Sequence, residues 1–310
     1  DGIFSYDQSD LLAEQTSFEV RLSSDFDGPW NGTVGYYSLD YQNEADYYVF
    51  SNSLDYNSAV LPTLLFGNPA AGVVLDGLAL GAPYFHSDTD LFELESSGLF
   101  GEAYWTPTED FTLTLGLRST TDEKFLRDRT PPLLALGPVP VGANAAPTMD
   151  AFLQGTYREL DVKFDNEITG RLVADWKPQL DFTDDTLLYA SYSRGYKSGG
   201  FNPPVDPAVI SGVPLSFEPE QIDAFEIGTK NTIGPIQANI AAFYYDYQGL
   251  QVGKIQARTS INENVDAEIW GLEGEFLWAP TENLLLNLTA SYLSTEVTEF
   301  SSEDPRDPTA

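Results

Sequence analysis

Along much of this chain, hydrophobic and polar residues alternate with the period of two that an extended strand requires. The clearest case is Ile269–Trp278, IWGLEGEFLW. Trp270, Leu272, Gly274, Phe276 and Trp278 fall on one face, and Gly271, Glu273, Glu275 and Leu277 on the other. A half-buried strand of a soluble sheet also alternates, but it rarely places a tryptophan at both ends of its apolar face. A lipid-facing strand has reason to, because indole rings settle where hydrocarbon meets headgroups. About eight residues rising roughly 3.3 Å each, tilted by about 40°, cover roughly 20 Å, close to the apolar band of an outer-membrane barrel.

The pattern recurs. In Thr16–Ser24, Phe18, Val20 and Leu22 oppose Glu19, Arg21 and Ser23. Phe111, Leu113, Leu115 and Leu117 oppose Thr112, Thr114, Gly116 and Arg118. Ile168, Gly170, Leu172, Ala174 and Trp176 share a face, as do Ile236, Ala238, Ile240, Ala242 and Tyr244. Further strands are predicted near Gly32–Asp40, Leu91–Trp105, Thr186–Arg194, Ile222–Lys230 and Leu284–Tyr292, with a fragment near Ile3–Tyr6; the parity of Thr186–Arg194 stays open. Short turns (DFDGPWN, TPTED, KPQLDFTDD, NTIGP, APTEN) alternate with long spans near 41–90, 119–164, 195–218 and 248–264. The second span holds PPLLALGPVPVGANAAP, which no central strand accommodates. Tight turns on one side and long loops on the other are the rhythm of an outer-membrane barrel. The expected fold is therefore all-β, a transmembrane antiparallel up-and-down barrel represented by about ten or eleven strands.

The tryptophans give a second test. Trp30, Trp105, Trp176 and Trp278 lie at or beside short turns, and Trp270 at the opposite end of its strand. Two interfacial girdles predict that placement, whereas core tryptophans would scatter through strand centres.

Composition narrows the picture. The 310 residues are 42% hydrophobic, which looks soluble, but a polar lumen and long loops dilute a barrel in the same way. No apolar run is long enough for a transmembrane helix. DGIFSYDQSD has neither a basic nor an apolar leader region, so a barrel starting here would have lost its signal or would begin mid-protein. With 48 acidic against 15 basic residues, a net charge of −33, nucleic acid is an improbable partner. Zero cysteines remove thiol catalysis and disulfides.

Several stretches, in order, resemble the barrel domain of TonB-dependent outer-membrane receptors: FGEAYWTPTEDFTLTLGLRSTTDEK, TDDTLLYASYSRGYKSGGFNPP, FEPEQIDAFEIGTKNTI, IQANIAAFYYDYQGLQV and NENVDAEIWGLEGEFLWAPTENLLLNLTASY. The resemblance covers roughly Gln15 to Phe300. It implies a barrel of about 22 strands filled by an N-terminal plug domain. It also implies a Gram-negative outer membrane, uptake of a scarce nutrient such as a siderophore complex, and energy relayed by TonB. No plug or TonB box precedes Asp1 and no terminal strand ending in an aromatic residue follows Ala310, so the chain is expected to be a middle-to-late barrel segment. The rival readings are a passive porin, a soluble β-rich binding module and an outer-membrane hydrolase.

Candidate chemistry is sparse. In RGYKSGGF, Arg194, Tyr196 and Lys197 are candidate ligand-binding residues, the two cations suiting an anionic ligand. The competing reading, which an acidic chain favours, is a loop anchor with flexible Gly199 and Gly200. Tyr47, Tyr48, Tyr84 and Phe85 are candidates for an aromatic ligand platform, though loop packing over the barrel mouth fits them equally. His86, Asp88 and Asp90 alternate as mixed metal ligands would, but a solvated loop is the better account and no metal is expected. DFDG lacks the later ligands of a calcium loop and reads as a turn. Glu273, Glu275, Asn287, Thr289 and Ser291 should line the lumen. One histidine and no thiol leave few members for a catalytic triad, so neither enzyme activity nor a cofactor is expected.

Overall fold

The computed structural model describes residues 5–51, 85–129, 157–203, 212–256 and 259–298. Ten long strands form one antiparallel sheet: β1 (Ser5–Ser23), β2 (Trp30–Ser51), β3 (Phe85–Thr108), β4 (Phe111–Arg129), β5 (Arg158–Trp176), β6 (Asp185–Lys197), β9 (Glu220–Ile233), β10 (Ile236–Gln256), β11 (Thr259–Thr281) and β12 (Leu284–Thr298). Each pairs with the next in chain order, the up-and-down arrangement. Two short strands, β7 (Gly200–Phe201) and β8 (Ser216–Phe217), pair only with each other, between β6 and β9 in the chain.

Register carries sidedness across the sheet, because directly opposed residues share a face. One row of partners runs Trp105, Leu113, Ala174, Ala190, Ile227, Ala242, Leu272, Tyr292, apolar throughout. It starts at the foot of β3 and ends in the upper half of β12. Steps of about 4.8 Å in a sheet tilted by about 40° would lift such a row roughly 20 Å from end to end. This face meets the surroundings directly: Leu22, Leu117, Ile227 and Leu288 are 57–73% exposed. The buried apolar set is confined to Leu126, Ile261, Val265 and Ala267 among the described residues. A soluble domain would hide the first set, so the protein is inside out relative to one.

The opposite face is polar. On β4, Thr114, Gly116, Thr120, Asp122, Leu126 and Asp128 are buried, while Leu115 and Leu117 are exposed. The turn from β1 to β2 is closed by Asn31, whose Oδ1 accepts from Phe26 N at 2.7 Å and from Ser24 Oγ at 3.0 Å. DFDG is thus a turn fastened by an amide.

Two expectations are corrected. Tyr6 does not belong to a separate fragment, since β1 runs unbroken from Ser5 to Ser23. The long spans are also shorter than expected. β2 continues to Ser51, β3 begins at Phe85, β4 reaches Arg129 and β5 begins at Arg158. β10 and β11 take up nearly all of 248–264. The reason is physical: backbone pairing does not require apolar alternation, and these upper halves carry polar side chains on both faces. A strand of 23 residues, as β11 has, at about 3.3 Å each and tilted by about 40°, stands nearly 60 Å tall, about twice the apolar band. The Pro-rich stretch lies outside the described residues.

Candidate functional site

The polar inner face and the upper rim hold the side chains able to meet a solute. Two hollows are set into the lower inner wall. One, of about 620 Å³, is lined by Glu19, Arg21, Glu102, Arg118, Arg171 and Arg194, with Phe100, Tyr104 and smaller residues around them. The other, of about 420 Å³, is lined by Tyr189, Lys230, Asn239, Glu273, Glu275, Thr289 and Ser291. Glu273, Glu275, Thr289 and Ser291, expected in the lumen, thus come together. Asn239 Nδ2 donates to Glu275 Oε2 at 3.2 Å, and the Tyr189 hydroxyl donates to Glu226 Oε1 at 2.6 Å.

The first hollow is the more cationic and was not singled out by the sequence. Its arginines lie on β1, β4, β5 and β6, and only register brings them together. Arg171 reaches over β4 to Glu102 on β3 with two bonds, Nη2 to Oε1 at 2.7 Å and Nε to Oε2 at 3.2 Å. Gly116 lies between them in the same cross-strand row; a Cβ there would stand 3.1 Å from Glu102 Oε2 and 3.3 Å from Arg171 Cγ. Arg21 pairs with Glu19 at 2.7 Å and stands 5.6 Å from the Phe100 ring centre. Arg118 stands over the Tyr37 ring at 5.5 Å and donates from Nε to Thr120 Oγ1 at 2.9 Å.

At the upper rim, charges are paired. Arg129 Nε meets Asp88 Oδ2 at 2.6 Å, and the Tyr157 hydroxyl donates to the same oxygen at 2.8 Å. Burial, then the Asp88 carboxylate, pushes the Tyr157 hydroxyl up to about 12. Arg127 pairs with Asp90. Asp88 and Asp90 are therefore occupied by arginines, and no group of three metal-binding side chains occurs among the described residues.

The later part of the RGYKSGGF stretch, from Ser198 on, folds back against the inner wall. Arg194 pairs with Asp223, which also accepts from the Tyr192 hydroxyl at 2.7 Å; Lys197 Nζ lies 3.8 Å from Glu220. Tyr192 pairs with Phe225 and Phe225 with Tyr244, on the apolar outer face, so Arg194, two residues further along β6, stands just beyond that aromatic row. Tyr196 is half-buried beside Asp122; burial first and that carboxylate second push its hydroxyl up. Lys124, pushed down by burial, donates to Gly199 O at 2.5 Å.

Asn202, fully buried, ties this segment across the wall. Its Nδ2 donates to Pro214 O and Asn262 O, both at 3.1 Å, and its Oδ1 accepts from Asn262 N at 2.7 Å. Its carbonyl accepts from Arg158 Nη2 at 2.7 Å, and Arg158 is itself forked onto Asp128. One residue, through its side-chain amide and its backbone carbonyl, thus links β11 to β5, strands that are not neighbours in the sheet.

Tyr47 and Tyr48 face opposite sides of β2, being consecutive in a strand. Phe85 begins β3, and Tyr84 lies outside the described residues. Among the tryptophans, Trp30 and Trp105 are partners with stacked rings 5.7 Å apart, and Trp176 and Trp278 sit at strand feet on the same apolar face. Trp270 sits higher, 5.4 Å from the Tyr292 ring.

The family model described as TonB dependent receptor-like, beta-barrel matches residues 2–309. Among solved structures, the ferric yersiniabactin uptake receptor FyuA from Yersinia pestis superposes with a TM-score of 0.64 at 17% identity, over 96% of this chain and 38% of that one. The ferric citrate transporter FecA gives 0.56 at 17%, over 94% and 37%. The alcaligin outer-membrane receptor FauA from Bordetella pertussis gives 0.52 at 13%, over 97% and 42%. At these identities the likeness is one of fold, and the chain spans about two fifths of those structures. No curated protein matches it.

Proposed function

The chain belongs to the TonB-dependent receptor-like β-barrel family, and on that premise we propose that it is wall and mouth of a Gram-negative outer-membrane nutrient importer. The observation that carries this reading is the band of exposed Leu, Ile, Val and Phe on a ten-stranded antiparallel sheet, with tryptophans at its lower edge and Trp270 and Tyr292 at its upper edge. That band is the surface lipid would cover. The inner face carries the charge and hydroxyl groups a hydrated ligand would pass. The work is recognition, passage and release, with no bond made.

In this reading the strand halves above the band form the mouth that meets a scarce nutrient such as a siderophore complex. Tyr47, Tyr48, Tyr84, Phe85, Arg194, Tyr196 and Lys197 are the mouth residues proposed to meet it. Import into the periplasm would draw on TonB through a plug domain elsewhere in the full protein.

The test is uptake by a strain lacking the full-length protein, compared with its parent, with and without a protonophore. Loss of high-affinity, energy-dependent uptake of one ferric chelate supports the proposal. Uptake that continues unchanged when the membrane is de-energised would make this a passive pore.

A further inference from the structure

Six of the seven described arginines hold a carboxylate: Arg21 with Glu19, Arg127 with Asp90, Arg129 with Asp88, Arg158 with Asp128, Arg171 with Glu102 and Arg194 with Asp223. Arg118 is the exception. In a chain with 48 acidic residues, a guanidinium left without one is unusual. Its place is built. Tyr37, Gly98 and Thr120 form one cross-strand row beneath it. Thr120 takes its Nε, the Tyr37 ring faces its charge, and Gly98 leaves the floor open, since a Cβ there would come within 2.9 Å of Nη2. Arg118 borders the 620 Å³ hollow, which Arg21, Arg171 and Arg194 also line. Four arginines line that hollow: Arg194 is held by Asp223, and the lining carboxylates of Glu19 and Glu102 hold Arg21 and Arg171, which leaves the Arg118 charge unanswered within a strongly negative chain.

We propose that Arg118 is a binding site on the inner wall for a small oxyanion, the carboxylate or phosphate of a solute moving through the barrel. A guanidinium fixed at Nε presents its remaining N–H groups as a planar fork, the geometry that carboxylates and phosphates accept. The hollow has the volume of a small organic ligand. The site rests on the barrel reading above but not on which nutrient is imported.

The experiment is arginine labelling with phenylglyoxal on the full-length receptor in detergent, read residue by residue by peptide mass spectrometry. Without added anion, all three should label, Arg21 and Arg171 being more than half exposed and Arg118 part-exposed, and each rate serves as its own reference. Saturating citrate or inorganic phosphate should slow Arg118 by about tenfold or more, protection following 1 + [L]/Kd, and leave the other two nearly unchanged. Sodium chloride at equal ionic strength should not. Whichever of citrate and phosphate protects identifies the class. No labelling of Arg118 without anion would mean that another part of the protein already covers it and would overturn the site. Equal protection by chloride, or equal protection of all three arginines, would reduce it to general screening. None of these outcomes depends on uptake, so failure of this site and failure of the importer reading are separable.

Discussion

Glu102 and Arg171 meet over the top of a glycine. They stand on β3 and β5, on either side of β4, and join because Gly116, between them in the row, has no side chain to part them. An exposed pair is ordinarily worth about 0.2–1 kcal/mol, and Arg171 is more than half exposed, so the fork is a modest stabiliser. Its dependence on Gly116 is the testable part. In a double-mutant cycle using Glu102→Gln and Arg171→Gln, a coupling of up to about 1 kcal/mol is expected with Gly116 in place. With Gly116→Val the coupling should vanish. A coupling that survives the valine would mean the pair does not need the glycine.

Leu272 stands at half exposure within the apolar row, and Thr289, on the inner face of β12, borders the smaller hollow. If lipid covers the first and water the second, the same substitution must behave differently at each. Leu272→Arg should lower stability in bilayers by about 2–4 kcal/mol, and Thr289→Arg by less than about 1 kcal/mol. Denaturant unfolding of the full-length barrel in lipid vesicles measures both. Equal costs would remove the basis for assigning the two faces.

The lower half of the wall was legible in the sequence because one face must be apolar and the other need not be. Phe18, Val20, Leu22, Phe111, Leu113, Leu115 and Leu117 declared their strands on that ground alone. Above the band neither face is obliged to be apolar, so Tyr41–Ser51 and Gln248–Gln256 looked like loop while forming ladder. The parity of β6 was hidden by two amphipathic residues. Tyr192 lies outward with Phe225, whereas Tyr189 lies inward over Gly228, and either tyrosine fits either face. The arginines of the larger hollow are separated by dozens of residues, and nothing short of the register shows that they converge. Asn202 gave no signal at all, since its partners, Pro214, Asn262 and Arg158, are backbone carbonyls, an amide and a distant cation.

Tyr157 supplies a pH test at the rim, outside the apolar band. Its hydroxyl is held above the ordinary tyrosine value of about 10, up to about 12, by burial and by the Asp88 carboxylate it donates to. A folded value raised above the unfolded one stabilises fully below pH about 10, and the contribution is lost as pH rises through about 12. Tyr157→Phe keeps a ring under Arg129, which lies 4.3 Å from its centre, and loses only the hydroxyl. The stability difference between wild type and Tyr157→Phe should be flat in neutral buffer and shrink between those two values. The tyrosinate absorbance difference should show its step near 12 rather than 10. A step at 10 would show that the hydroxyl is not held in the folded protein.

Asn202 carries the strongest local prediction. Three bonds come from its side chain: two donated to Pro214 O and Asn262 O, and one accepted from Asn262 N. Asn202→Ala leaves those buried groups without partners, at about 1–3 kcal/mol for an unsatisfied group and about 2–4 kcal/mol for the set, since neighbouring losses do not add. Asn202→Asp keeps the bond from Asn262 N but turns a carboxylate toward two carbonyl oxygens, so it should also release the segment. Almost none of this cost touches the strand ladders. The overall unfolding midpoint should therefore move little, while hydrogen exchange at 198–203 and 212–218 accelerates by roughly the Boltzmann factor of that local loss, about 30-fold or more. Unchanged exchange there in Asn202→Ala would mean that Lys124, through Gly199 O, and Gln251, through Ser198 O and Glu218 O, already suffice to hold the segment to the wall.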